Sequence, residues 1–341
     1  MTHGAILVTG GLGYIGAHTC VALAGAGRRN LVLLDNLSNA KPSVLERIRE
    51  LAPDATLEFV RADVRDRAAL DAMFRAHTIE AVVHFAGLKA VRESVEKPRE
   101  YHDVNVGGTR SLLDAMRRHG VRTMVFSSSA TVYGKPEKLP YTEDHPLHPE
   151  NPYGENKLEI ERVLAENAAT NPAFCFGALR YFNPIGAHPS GRIGEDPRGI
   201  PDNLFPYITR VAIAKLPKLR VFGNDYPTPD GTGVRDYIHV MDLVAGHLSA
   251  LRYLEQRRRS ITVNLGTGGG HSVLEVIHAF ERATGATVPY EFAPRRAGDI
   301  AAYWADPSLA ARELGWRAQL GLEDMCRDAW RWQSMNPDGF P

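Results

Sequence analysis

Tyr153 and Lys157 stand four residues apart, a spacing that puts both side chains on one face of a helix with Cβ atoms ~5–6 Å apart. A phenol beside an ammonium is a candidate general base. Its reference pKa of ~10 must fall by on the order of 3 units, ~4 kcal/mol, to work near neutrality, and Lys157 supplies part of that. Asn151 is a good N-cap and Pro152 a good first helical residue, so Tyr153 falls in a first turn, where the helix dipole favours an anion. Ser127-Ser128-Ser129 closes a strand-like run. Hydroxyls there lie at the carboxyl edge of a sheet, and Ser129 is placed to bridge Tyr153 and a substrate hydroxyl.

A second constellation binds rather than reacts. Thr9-Gly10-Gly11-Leu12-Gly13-Tyr14-Ile15-Gly16 follows the strand-like Ala5 to Thr9 and opens a helix-like segment. Glycine is needed there for a tight turn, for close approach of backbone to a pyrophosphate and for packing of helix on strand. Asp35 closes the second strand nineteen residues after Gly16, where a carboxylate accepts adenosine ribose hydroxyls and repels a 2′-phosphate. The expected cofactor is therefore NAD, whose cationic nicotinamide would help Lys157 lower the Tyr153 pKa. Asp63, after the third strand, is placed to reach the adenine. No spacing suggests a metal site.

These residues need a frame. Apolar runs of strand length recur at Ala5 to Thr9, Leu31 to Leu34, Leu57 to Val60, Ala81 to Ala86, Met124 to Phe126, Phe174 to Leu179 and Ile261 to Leu265. Continuous runs suit parallel strands buried on both faces. Helix-like stretches with apolar residues at three- and four-residue spacing lie between them, among them Leu112, Leu113 and Met116, Leu158, Val163 and Leu164, and Asp242 to Leu254. The alternation reads as an α/β doubly wound parallel sheet with a smaller, discontinuous lobe. The sheet domain is expected over residues 1–182 plus about 236–270, and the lobe over about 183–235 plus 271–341.

The 341 residues are 44% hydrophobic and 23% charged, with 40 Lys plus Arg against 40 Asp plus Glu. No basic excess exists to draw the chain onto nucleic acid or anionic lipid. Met1-Thr2-His3-Gly4 leads straight into a strand-like run without a charged or long apolar leader, so a cytoplasmic protein is expected. Cys20, Cys175 and Cys326 lie too far apart for a disulfide framework and read as small buried hydrophobes.

Longer stretches carry a resemblance. Gly10-Gly11-x-Gly13-x-x-Gly16, His84-Phe85-Ala86-Gly87-Leu88-Lys89-Ala90-Val91, Ser127 to Gly134, Tyr153-Gly154-x-x-Lys157, Arg180 to Pro184, Gly223 to Thr228, Gly231 to Val240 and Pro294 to Asp306 resemble the extended short-chain dehydrogenase/reductase family, and within it the UDP-glucose 4-epimerases. Similarity runs over nearly the whole chain. It implies a Rossmann-type fold, tightly bound NAD, UDP-glucose and UDP-galactose as substrates, reversible epimerisation through a 4-ketosugar, and a homodimer, with the Leu112–Met116 and Leu158–Leu164 segments able to pair across a two-fold axis.

The resemblance also implies residue roles. Gly10, Gly13, Gly16, Tyr14 and Ile15 would meet the pyrophosphate, Asp35 and Asn36 the adenosine ribose, and Asp63 and Val64 the adenine. Phe85, Ala86, Gly87 and Lys89 would lie along the middle of NAD, with Tyr153, Lys157 and Phe182 at the nicotinamide end. Asn183, Arg235 and Arg296 would hold the UDP diphosphate, Asn203, Leu204 and Phe222 the uridine and Asp299 its ribose. Ser129, Tyr153, Tyr237 and Tyr303 would border the sugar. Members often carry Asn-Asn where this chain has Val104-Asn105. The related 4,6-dehydratases resemble Thr-Asp-Glu where it has Ser129-Ala130-Thr131, which lacks the acid and base that water elimination requires.

Overall fold

Each apolar run becomes a strand in the computed structural model, which describes residues 4–199, 201, 203–296 and 298–341. The opening Met1-Thr2-His3, read above for a leader, lies outside them. The strands are β1 (Ala5–Thr9), β2 (Asn30–Asp35), β3 (Thr56–Arg61), β4 (Ile79–His84), β5 (Thr123–Ser127), β6 (Cys175–Tyr181) and β7 (Ile261–Leu265). They form one parallel sheet in the order β7-β6-β5-β4-β1-β2-β3. Strand order reverses at β1, between β4 and β2, so their carboxyl ends open a crevice there.

Period-two alternation divides the core between the two faces. Ile6, Val8, Leu31 and Leu33 pack into one layer with Val21 and Leu23 of helix Tyr14–Gly25 and with Leu243, Leu251 and Leu254 of helix Val240–Arg257. Leu7, Val32 and Leu34 pack into the other, with Leu70, Leu112, Met116, Ile160 and Leu164. Each such side chain contributes about 1.5–3 kcal/mol when fully buried. All three cysteines are buried and free, as expected. The chain after Tyr181 builds a further core around Phe205, Ile208, Val276, Phe280 and Met325, contributed by helices Leu204–Ala212, Val273–Thr284 and Leu322–Met335.

Two sequence expectations change. β4 ends at His84, not Ala86, because the Phe85 and Ala86 amides turn onto the Thr9 carbonyl (3.0 Å) and hydroxyl (3.3 Å). Leu112, Leu113, Met116, Leu158, Val163 and Leu164 are all buried within the single chain, so these six side chains are covered by its own core. An amphipathic pattern states that a face is covered, not by what. Among the described residues no helix is long and apolar enough to cross a membrane.

Candidate active site

The glycine turn is as tight as its sequence requires. Gly10 has φ +67°, and a Cβ on Gly16 would stand 2.1 Å from the Gly10 carbonyl oxygen. No side chain larger than hydrogen fits there. The turn is tied to β2 through the Gly10 amide on the Leu34 carbonyl (2.7 Å) and the Leu12 amide on the Asp35 carboxylate (3.2 Å). Helix Tyr14–Gly25 starts at Gly13 with no side-chain cap and no acid in its first turn, leaving its amides and dipole for an outside anion. The cradle, the uncapped helix start and Asp35 fit a dinucleotide.

The remaining cofactor candidates line the same edge. Asp35 is buried, which raises its pKa, while the Leu37 and Leu12 amides counter that. Asn36 Nδ2 donates to Asp63 (2.9 Å), so the two residues expected at the adenosine meet each other. Arg65 bonds Asp63 as well and holds its carboxyl down at about 2. Val64 is buried against Gly108. Phe85 packs on His247 with ring centroids 4.9 Å apart. Gly87 and Leu88 lie over Asn105, whose Oδ1 accepts from the Leu88 amide (2.7 Å) and whose Nδ2 donates to the Leu88 carbonyl (3.1 Å). Asn105 is thus the asparagine of the Val104-Asn105 pair that shapes this loop.

Helix Pro152–Thr170 begins as its sequence predicts. Asn151 Oδ1 caps the Gly154 amide at 2.9 Å, and Tyr153 lies in the first turn. Tyr153 and Lys157 are both buried. The Lys157 ammonium donates to the Ser127 carbonyl (2.7 Å) and lies 5.6 Å from the Tyr153 ring centroid and 4.9 Å from that of Phe126. Burial brings Lys157 down to about 8, against the pull of Glu161. Burial pushes the Tyr153 phenol well above its ordinary value, opposed by the Ser129 hydroxyl beside it. Ser129 Oγ also accepts from Thr131 Oγ1 (3.0 Å) and the Thr131 amide (3.2 Å). The pair is therefore assembled but needs further positive charge before the phenol gives up its proton.

The substrate candidates gather in three groups. Asn183 and Tyr237 are register partners in a short parallel pair, and Tyr303 donates to Asn183 Oδ1 (3.2 Å) while its ring lies under the Arg235 guanidinium at 4.6 Å. Phe182 joins them through Tyr303, with centroids 6.0 Å apart, so the nicotinamide-end and sugar-end candidates are continuous. Arg296 lies 3.8 Å over the Phe222 ring, and the Asp299 amide bonds the Arg296 carbonyl at 3.2 Å. Asn203 caps the entry to helix Leu204–Ala212 by position and donates to Glu195 (3.3 Å).

Glu195 went unread in the sequence. Its carboxylate accepts from Lys89 (2.9 Å), raising the Lys89 pKa, and so joins the cofactor loop to the segment that carries Asn203 and Leu204. Only the density of Pro and Gly around it marked the region. The ion pair of Glu161 with Arg180 went unread too, because each alone resembles a surface charge.

Comparison with known proteins gives consistent results. The family described as GDP-mannose 4,6 dehydratase matches residues 7–329. A Bacillus subtilis UDP-glucose 4-epimerase is 56% identical over 98% of both chains. The crystal structure of a UDP-glucose 4-epimerase from Stenotrophomonas maltophila with bound NAD and formylated UDP-arabinopyranose superposes with TM-score 0.95 at 53% identity, covering 98% of this chain and 99% of that one. The Bifidobacterium longum UDP-glucose 4-epimerase in complex with NAD+ and UDP superposes at 0.94 and 48% identity, covering 98% and 100%.

Proposed function

Because the chain belongs to the UDP-glucose 4-epimerases of the extended short-chain dehydrogenase/reductase family, we propose that its Tyr153–Lys157 pair interconverts UDP-glucose and UDP-galactose at C4. The observation that carries this reading is the buried Tyr153, one helical turn from Lys157 and beside Ser129, at the carboxyl edge of β5. NAD, held by Gly10 to Gly16, Asp35, Asn36, Asp63, Val64 and Phe85 to Lys89, supplies a reversible hydride acceptor and the positive charge that the phenol still lacks.

Tyr153 takes the proton of the sugar 4-hydroxyl as C4 is oxidised and returns it once the 4-ketosugar has turned its other face. Ser129 orients that hydroxyl, and Lys157 keeps the phenolate favourable. Turning requires uneven grip: Asn183, Arg235 and Arg296 clamp the diphosphate, with Phe222, Leu204, Asn203 and Asp299 on the uridine, while the hexose meets Ser129, Tyr153, Tyr237 and Tyr303, with no charged clamp of its own. Elimination of water, the dehydratase reaction, needs an acid and a base that Ala130 and Thr131 cannot supply. Incubation with UDP-galactose tests the reading. UDP-glucose should form and NAD should be released when the protein is denatured; a 4-keto-6-deoxy product, or protein that works only with added NADP, would overturn it.

Substrate range turns on Tyr303. Its ring and hydroxyl are held by Arg235 and Asn183, and a tyrosine fixed at the border of the hexose would occupy the space an acetamido group needs. UDP-glucose and UDP-galactose should be preferred over their N-acetylhexosamine analogues by about 10- to 200-fold in kcat/KM. Tyr303→Cys should gain activity on UDP-N-acetylglucosamine with folding intact. Equal wild-type kcat/KM for acetylated and plain sugars would refute the gate.

The same reading assigns residues 1–182 plus about 236–270 to NAD and about 183–235 plus 271–341 to the UDP-sugar, in a cytoplasmic homodimer. Family membership supports the dimer. Exposed Val91 and Val95 on helix Val91–Glu96, beside helix Pro152–Thr170, offer apolar surface for the contact. Sedimentation at ~38 kDa at micromolar concentration would rule the dimer out.

A further inference from the structure

Helix Pro152–Thr170 carries a third polar group on the face of Tyr153 and Lys157. Glu161 lies one turn beyond Lys157, with its side chain 8% exposed, and Arg180, on β6, is 6% exposed. Arg180 grips it as a fork, Nε to Oε1 at 3.0 Å and Nη2 to Oε2 at 2.7 Å. The remaining Arg180 nitrogen donates to the Tyr133 hydroxyl and the Glu143 carbonyl, both at 3.1 Å, and Tyr133 donates to Asn264 Oδ1 at 2.6 Å. Glu161 Oε1 accepts in addition from the Ser128 hydroxyl at 2.5 Å.

Stability alone does not account for this pair, because an ion pair buried to this degree is commonly no better than well-packed apolar residues. Its position is informative. Ser127, Ser128 and Ser129 are three consecutive residues at the end of β5; Lys157 holds the first through its carbonyl, Glu161 the second through its hydroxyl, and the third stands beside the Tyr153 phenol. The groups that face Lys157 are Tyr153 and Glu161 from its own helix, the Ser127 carbonyl and the Phe126 ring from β5, and His84 from β4. Burial keeps His84 neutral, its pKa lowered to about 3, between the Thr9 and Thr109 hydroxyls. Among the described residues, Glu161 is the carboxylate that acts on the ammonium.

We propose that Glu161, held by Arg180, is a positioning residue of the reaction: it fixes the Ser127–Ser129 segment to the helix of Tyr153 and Lys157 and sets a buried carboxylate one turn from the Lys157 ammonium. The proposal rests on the epimerase reading given above. Two consequences follow from it. Ser129 loses its placement when the Ser128 hydroxyl is released, which lowers kcat more than it raises KM. Lys157 also loses its proton at lower pH once the carboxylate is gone, so the alkaline limb of the kcat profile moves down.

The test uses holoenzyme and three variants. Glu161→Gln alone strands the buried Arg180 cation and is expected to unfold readily, so the informative protein is the double variant Glu161→Gln with Arg180→Gln, which leaves the site neutral and hydrogen-bonding. It should unfold cooperatively and keep NAD, with kcat at least about 10-fold lower and the alkaline limb lowered by on the order of 0.5–1 pH unit. Glu161→Asp keeps the charge and should leave the limb at its wild-type position. A double variant within about threefold of wild-type kcat with an unmoved limb overturns the proposal, and so does one that fails to fold, which would make the pair purely structural. Tyr153→Phe, assayed alongside, separates the two failures: full activity in that variant discards the epimerase base itself, whereas an inactive Tyr153→Phe beside a wild-type-like double variant discards only the role of Glu161.

Discussion

Tyr153→Phe is expected to lower kcat by about 10²–10⁴-fold, the contribution of one general base, while UDP binding stays nearly unchanged. The phenol oxygen is the only atom removed, and the ring that the Lys157 ammonium faces at 5.6 Å remains. Folding should not suffer, because the Ser129 hydroxyl keeps its contacts with Thr131. Steady-state kinetics with UDP-galactose and a separate UDP titration check it. More than about a tenth of wild-type turnover would show that another group takes the proton. Lys157 sets the upper bound on pH in the same site. Its pKa is lowered to about 8 by burial, so its charge is present below that value and is lost as pH rises through it, and the rate should fall with it.

Gly16→Ala should abolish NAD retention. The added Cβ would meet the Gly10 carbonyl oxygen at 2.1 Å and Gly11 Cα at 3.0 Å, so the helix start must lift away from the turn. Overpacking of this kind costs about 1–3 kcal/mol and lowers the melting midpoint by several degrees. The loss of nucleotide should exceed the loss of stability, since the displaced amides are the ones expected to face the pyrophosphate. Gly25→Ala is the control: it ends the same helix, and nothing lies within 4 Å of its added Cβ. Absorbance and chromatography of the nucleotide released on denaturation decide the outcome. A Gly16→Ala protein with a full complement of NAD would remove the glycine turn from the cofactor site.

The parts of the site that could be read in advance are those whose partners are close in sequence. The glycine turn, the Asn151 cap and the Tyr153–Lys157 spacing are set within eight residues by backbone geometry, and the structure reproduces each. Buried parallel strands were legible for a related reason, since a run such as Val32 to Leu34 has apolar residues on both faces. Contacts across long separations were not. Glu195 meets Lys89 and Glu161 meets Arg180 only after the sheet has formed, and an isolated Glu or Arg in a sequence is far more often a solvated charge. Leu112 and Leu164 show the same limit in apolar form, because the sheet and a partner subunit would leave an identical pattern.

The placement of β7 bears on how the protein is made. Ile261 lies beside Gly177 in the register of β7 and β6, so the outer strand of the sheet is synthesised long after the neighbour it covers. Until residue 265 has left the ribosome, the β6 edge from Cys175 to Tyr181 carries unpaired backbone groups and apolar side chains, the combination that recruits other chains. The nascent protein therefore passes through a stage with an open, sticky edge. A product ended before β7 would be held in that stage permanently, and would aggregate for want of one strand although the glycine turn, Tyr153 and Lys157 were all present.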